Sequence, residues 1–235
     1  MKSLTSSLKH FVVQKARISN KEAVQCILSG RVLVNGSKAP LDTPILPTDK
    51  IQLDGQVLKQ PTKLIYLAFH KPRGIESTLN PQIENNLLEA LKFKQTVFPV
   101  GRLDKDSEGL MLLTNNGKIF DKILHSQSHQ EKEYEVTVDQ PLTELVLESL
   151  AAGVEIMGKR TRPALVTQVS SRTFRITLTQ GLNRQIRRMC YKLGYQVTRL
   201  IRTRIITLQL ENLPVGQWRY LQPAEIDKLF EKVHE

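Results

Sequence analysis

Cysteine is nearly missing from this chain of 235 residues. Its two copies, Cys26 and Cys190, lie far apart, and neither has a second Cys or a His at metal-ligand spacing. That argues against a thiolate metal centre and a disulfide framework, and no metal or cofactor is expected. Both fall on the apolar stripe of an expected helix, which reads as a buried, reduced thiol. No apolar run approaches the roughly 20 residues of a membrane span, and the first residues lack the apolar core of a secretory signal. The expectation is a cytoplasmic, monomeric protein with no membrane partner. Internal repeats and low-complexity tracts are also missing. With 40% hydrophobic residues the chain can nonetheless bury a core.

Acid is scarce in a patterned way. The formal net charge is +11, and residues 156 to 210 hold twelve Lys and Arg with no Asp or Glu. Such a concentrated positive surface points to a polyanion, and nucleic acid is the expected partner. Against that background Gly101-Arg102-Leu103-Asp104-Lys105-Asp106-Ser107-Glu108-Gly109-Leu110 packs three carboxylates into ten residues. An acidic cluster facing a basic block suggests chemistry on nucleic acid rather than binding alone.

Two units are expected. Residues 1–58 read as a compact module: Ser19 caps a helix with Glu22 as its capping box, and Ala23, Ile27 and Leu28 are expected to point inward. Gly30 ends the helix. Val32-Leu33-Val34 then runs into Asn35-Gly36, a hairpin signal, and Asp54-Gly55 gives a second turn before Gln56-Val57-Leu58. This helix, helix, short-strand order resembles the αL RNA-binding module named after small-subunit ribosomal protein four. Ser19, Glu22, Ala23, Gly30, Val32, Val34, Asn35 and Gly36 carry the likeness. Polar Lys59-Gln60-Pro61-Thr62-Lys63 reads as the linker.

The second unit is expected over 64–235. Strands are predicted at 64–69, 110–114, 132–138 and 173–178, and helices at 85–92, 118–124, 143–150, 183–193 and 223–233. Without regular βαβ spacing, this favours an α+β fold with a mixed or antiparallel sheet.

Asp104 lies between Arg102 and Lys105 on a loop entering a strand, where neighbouring positive charge favours the ionised carboxylate. An ionised Asp can serve as nucleophile or general base, and equally can merely pair with local cations. The helix expected to begin at an Asn183 N-cap carries Ile186, Met189, Cys190 and Leu193 on one stripe, with Arg187 at its edge and Arg184 and Arg188 turned towards solvent or RNA. Tyr134 shares a strand face with Lys132 and Val136, suited to a core or to base stacking. Lys71-Pro72-Arg73-Gly74 makes a tight turn able to offer Lys71 and Arg73 to phosphate.

Together, Lys71 to Gly74, Gly101 to Leu110, Glu131-Lys132-Glu133-Tyr134 and Gln180 to Met189 resemble the RsuA/RluF-type pseudouridine synthases, on the side that acts on large-subunit ribosomal RNA. Arg202-Thr203-Arg204-Ile205 and Gly216-Gln217-Trp218-Arg219 extend the likeness. The resemblance implies that Asp104 is the catalytic aspartate, that Tyr134 packs on the target base, and that Arg187 pairs with the aspartate. Leu200 would line an apolar pocket, and Arg102, Asn183, Arg184, Arg188 and Arg202 join Lys71 and Arg73 as substrate contacts. The implied reaction isomerises a uridine in RNA to pseudouridine after the nucleotide is flipped from its stack. Small-subunit ribosomal RNA or transfer RNA would be alternative targets, and a non-catalytic ribosome-assembly factor the alternative of another class.

Overall fold

The computed structural model describes residues 7–117, 123 and 130–234, which fall into two compact units. One holds the described residues up to Ile65 together with 114–117; the other holds the rest.

In the smaller unit, α1 (Leu8–Ala16) and α2 (Asn20–Leu28) precede a three-stranded antiparallel sheet of β1 (Val32–Val34), β2 (Ile51–Leu53) and β3 (Gln56–Lys59). Ser19 forms the expected capping box: its amide donates to Glu22 Oε2 at 2.8 Å, and its hydroxyl accepts from the Glu22 amide at 3.2 Å. Ala23, Cys26 and Ile27 are buried, but Leu28 is 70% exposed, against expectation. At roughly 100° per residue Leu28 stands well over a quarter-turn from the Ala23–Ile27 line, whereas Cys26 lies beside it. The Asn35-Gly36 turn forms, closed by two backbone hydrogen bonds between Val34 and Ser37. It does not build a hairpin of two strands, because the chain departs after Ser37 and β1 pairs with the distant β2. Asp54-Gly55 does join β2 to β3, both residues at positive φ. Lys59 belongs to β3, its ammonium donating to the carbonyls of Pro47 and Asp49, and the Thr62 amide donates to Pro47 at 2.9 Å. Much of the polar 59–63 stretch is therefore fastened to the smaller unit.

The larger unit contains β4 (Tyr66–Lys71), α3 (Leu87–Leu91), β5 (Phe98–Pro99), β6 (Glu108–Thr114), β7 (Lys132–Val138) and α4 (Glu144–Ala152). The hairpin β8 (Glu155–Ile156) and β9 (Lys159–Arg160) follows, then β10 (Leu165–Ser170), β11 (Thr173–Leu178) and α5 (Gln185–Lys192). The chain continues through β12 (Val197–Ile205), β13 (Leu208–Gln209), β14 (Trp218–Tyr220) and α6 (Pro223–His234). The helix expected over 118–124 lies, apart from Ile123, outside the described residues.

Nine strands form a mixed sheet in the order β10-β11-β7-β12-β6-β4-β14, with β13 beside β12 and β5 beside β6. The β12–β6 pair is parallel, while β12–β7, β7–β11 and β10–β11 are antiparallel. The expected α+β class with a mixed sheet is what forms. β12, a late strand in sequence, slots between β6 and β7, so residues near 108, 134 and 202 become neighbours at the sheet centre. One core joins Val136, Phe174, Ile176, Leu200 and the inner face of α5, where Ile186, Met189 and Cys190 are buried. Burial pushes the Cys190 thiol up to about 12. α5 starts two residues later than expected, because its N-cap is Arg184 in the left-handed conformation (φ 50°) and not Asn183. Asn183 instead accepts from Arg188 Nε through its carbonyl, at 3.0 Å.

Candidate active site

The acidic loop runs from Gly101 into β6 and is held by its backbone. Seven of its carbonyls, those of residues 102–107 and 110, accept hydrogen bonds from donors within the same unit. Ser77 Oγ donates to the Leu103 carbonyl at 2.6 Å and accepts from the Leu103 amide at 3.1 Å. The Gly74 amide takes the Lys105 carbonyl at 2.8 Å, and the Ser107 amide closes a turn onto the Asp104 carbonyl at 3.0 Å. Two buried cations complete the hold. Lys71 Nζ, 0% exposed, donates to Ser107 at 2.8 Å and to Pro72 at 2.9 Å, with Lys105 at 3.5 Å. Arg202, 1% exposed, donates from Nε to the Leu110 carbonyl at 2.7 Å and from Nη1 to Arg102 at 3.4 Å.

These placements correct the sequence reading of Lys71 and Arg202 as substrate contacts. Neither guanidinium nor ammonium faces solvent; Lys71 Nζ and the Nε and Nη1 of Arg202 donate to backbone carbonyls, while Arg202 Nη2 is buried without a partner, so both side chains hold the loop. Burial lowers the Lys71 pKa to about 8, although Glu76, Asp104 and Asp106 favour the charged form. Burial also lowers that of Arg202, with the neighbouring Tyr134 hydroxyl opposing. Arg202 is thereby the link between the acidic loop and the strand bearing Tyr134.

With its backbone fixed, the loop leaves Asp104 half-buried and Asp106 exposed. The cation that meets them is Arg184, whose Nη1 lies 3.8 Å from Asp104 Oδ2 and 3.6 Å from Asp106 Oδ2. That was the partner expected of Arg187. Helical spacing misplaces Arg184, because its left-handed backbone takes it off the regular helix surface. Arg187 sits close by: Nη2 donates to the Asp106 carbonyl at 2.9 Å and Nη1 to the Val197 carbonyl at 3.1 Å. Burial lowers its pKa, reinforced by Arg184 and Arg73 and opposed by Asp106 and Asp104. Arg187 is thus within the electrostatic reach of both carboxylates, while its hydrogen bonds fix α5 and β12 to the loop.

Arg73 is exposed and reaches the Thr198 carbonyl at 3.3 Å, on the same side as Arg187. Arg102 is exposed at the start of the loop, and Arg188 and Asn183 are exposed together at the head of α5. Tyr134 is half-buried on β7, in register with Arg202 on β12 and Ile176 on β11. It packs against the core cluster that contains the buried Leu200. The expected set therefore splits. Asp104, Arg184 and Arg187 come together as one charged patch around the acidic loop, with Arg73 near Arg187, and Tyr134 with Leu200 adjoins it through Arg202.

Three contributors escaped the sequence reading. Ser77 carries no signal of a partner 26 residues away. Arg199 Nε meets Glu108 Oε1 at 2.5 Å, so the third acid of the motif is a strand-pairing group and not part of the charged patch. Gly109, at φ 113°, lies so close to β12 that a Cβ would stand 2.4 Å from the Arg202 carbonyl oxygen. Only glycine permits that approach. Among the described residues no group of three His, Cys, Asp or Glu is placed to hold a metal. Nor is any helix there long and apolar enough to cross a membrane.

A family model described as RNA pseudouridylate synthase matches residues 65–192, a span that includes the acidic loop, Tyr134 and Arg187. The chain is 41% identical over 228 residues to the dual-specificity RNA pseudouridine synthase RluF of Escherichia coli (strain K12), covering 96% of this chain and 79% of that protein. It is 29% identical over 231 residues to ribosomal large subunit pseudouridine synthase B of Bacillus subtilis (strain 168), covering 94% of each. A crystal structure of pseudouridylate synthase matches with a TM-score of 0.68 at 27% identity, over 95% of this chain and 99% of that one. The chain belongs to the RNA pseudouridine synthase family, in its RsuA/RluF-type branch, and is an isomerase acting on RNA.

Proposed function

We propose that the protein converts a uridine of large-subunit ribosomal RNA to pseudouridine with Asp104 as the catalytic group. The observation that carries this reading is the arrangement around Asp104: a half-exposed carboxylate on a backbone held by seven carbonyl contacts, with Arg184 at 3.8 Å. Chemistry on a bulky polymer needs such a preset group, since the substrate brings no small handle for repositioning it. The reaction breaks the bond between sugar C1′ and uracil N1, turns the base while it is held, and joins C1′ to C5; the C5 proton moves to N1. Atoms and charge balance without a co-reactant.

Stacked bases hide both reacting atoms, so the target nucleotide is flipped out, at a cost of a few kcal/mol offset by phosphate contacts. Tyr134 then packs on the uracil above the apolar wall containing Leu200. Arg73, Arg102, Arg184 and Arg188 supply exposed charge for the backbone. Residues 1–58 act as an additional RNA-binding module ahead of a 59–63 linker and a catalytic domain of 64–235. The B. subtilis relative, named for the large ribosomal subunit, supports the choice of target. The protein acts in the cytoplasm.

Tritium release from RNA labelled at uridine C5 tests the catalytic assignment, with Asp104→Ala expected to lose turnover and keep RNA affinity. Residual release comparable with wild type would remove Asp104 from the chemistry. Mapping pseudouridines in the RNA of cells with and without the protein tests the target. A site that disappears from small-subunit ribosomal or transfer RNA instead would replace it.

A further inference from the structure

Beside the charged patch, and without Asp104 in its lining, a groove of about 580 Å³ opens between α5 and the β8–β9 hairpin. Four cations line it, Arg184, Arg187, Arg188 and Lys192, against a single carboxylate, Glu155. Arg188 and Lys192 stand one helical turn apart on α5, about 6 Å in axial rise, and Arg184 precedes them at the N-cap, which sets positive charge along one wall. Arg184 and Arg187 belong to both places: one side of this turn meets Asp104 and Asp106, the other faces the groove.

Two side chains there have no structural reason to be where they are. Tyr191 is 77% exposed on the groove wall, although aromatic surface is costly to leave in water. Met157 is 65% exposed at the tip of the hairpin, at φ 52°. The two-residue turn Met157-Gly158 needs positive φ at both positions, where Asn, Asp or Gly is usual and a long apolar side chain is strained. An exposed aromatic ring and a strained apolar side chain bordering one basic groove fit a flat aromatic ligand attached to phosphate.

We propose that this groove is a second nucleotide site, which holds a single-stranded RNA segment flanking the target, with a base packed between Tyr191 and Met157 and phosphates on Arg188 and Lys192. It rests on RNA being the substrate, not on the role of Asp104. The site anchors the strand outside the charged patch, so that turning the target base does not release the polymer.

The test uses the full-length protein and a short fluorescent oligouridylate, followed by anisotropy over a range of salt, with pseudouridine formation in large-subunit ribosomal RNA measured in parallel. Tyr191→Ala should weaken oligonucleotide binding about tenfold, and Tyr191→Phe should restore it, because stacking needs the ring and not the hydroxyl. Lys192→Gln should lower the slope of log affinity against log salt by about 0.7, the loss of one neutralised phosphate. Met157→Gly should weaken binding while raising the melting temperature, since glycine accepts the turn's backbone without strain. Wild-type protein that does not bind the oligonucleotide, or a Tyr191→Ala variant that binds as tightly as wild type, overturns the proposal. Wild type that makes pseudouridine while Tyr191→Ala binds normally removes the groove and leaves the catalytic reading intact. If instead Tyr191→Ala loses binding and wild type makes no pseudouridine, the groove stands and the catalytic reading falls.

Discussion

Lys71 offers the sharpest test of how the acidic loop is held. Its ammonium is fully buried at the end of β4, and burial lowers its pKa from the ordinary 10.5 to about 8. That displacement corresponds to about 3 kcal/mol of burial cost for the charged form. The hydrogen bonds from Nζ to Ser107 and Pro72 tie the loop to the end of β4 within that net cost. Lys71→Met removes the net cost together with the partners of two carbonyls, so it should alter global stability little at neutral pH. The pH dependence should differ clearly. Between about pH 8 and 10.5 the unfolded chain keeps the Lys71 proton and the folded chain has lost it, so this group makes stability rise with pH across that window. Urea unfolding of wild type and Lys71→Met over pH 7–11 should show the difference moving by about 3 kcal/mol in favour of wild type. Turnover at neutral pH should meanwhile fall about a hundredfold, because a loop free to shift by an ångström misplaces Asp104. Parallel pH curves for the two proteins would show that no buried ammonium holds the loop. Wild-type turnover in Lys71→Met would show that the hold is irrelevant to Asp104.

The other consequences concern the same frame. Ser77→Ala strips the buried Leu103 amide and carbonyl of their partner and should cost about 2 kcal/mol in urea unfolding, with turnover falling more than RNA affinity. Gly109→Ala should cost several kcal/mol, since its Cβ would meet backbone atoms of Arg202. Gly74→Ala, with φ 90° but open space around it, should cost only about 1 kcal/mol, and unfolding midpoints compare the two. Cys190, its thiol pushed up to about 12, should resist alkylation at pH 8 in the native state and react once the protein is unfolded, as mass spectrometry would show.

Local signals carried much of the fold. The capping box at Ser19, the Asp54-Gly55 turn and the alternating segments 132–138 and 173–178 appear as the sequence predicts. Each depends on residues within a few positions of one another. β12 did not announce itself, because three arginines in Val197–Ile205 resemble a solvated basic stretch. Each of its arginines takes a partner far away in sequence: Glu108 for Arg199, the Leu110 carbonyl for Arg202 and Glu131 for Arg204. The Asn35-Gly36 turn misled in the opposite direction, a correct local geometry whose strands pair elsewhere.

The site divides along the same line. Its acidic loop stood out because carboxylates are rare in a basic chain, and spacing alone placed Asp104 before a strand. Sequence could not separate cations that touch substrate from cations that hold the loop, because charge looks alike whether buried or exposed. Lys71 and Arg73 are two residues apart, yet one ends inside the sheet with its donors on carbonyls and the other stays in solvent. Arg184 takes the pairing expected of Arg187 for a related reason: a left-handed residue at the helix start turns its guanidinium onto the carboxylates, and the regular helix aims that of Arg187 at backbone. The division also explains why positively charged groups surround Asp104 without covering it. Lys71, Arg187 and Arg202 each direct donors onto backbone carbonyls, which leaves the half-buried carboxylate of Asp104 to Arg184 and to solvent.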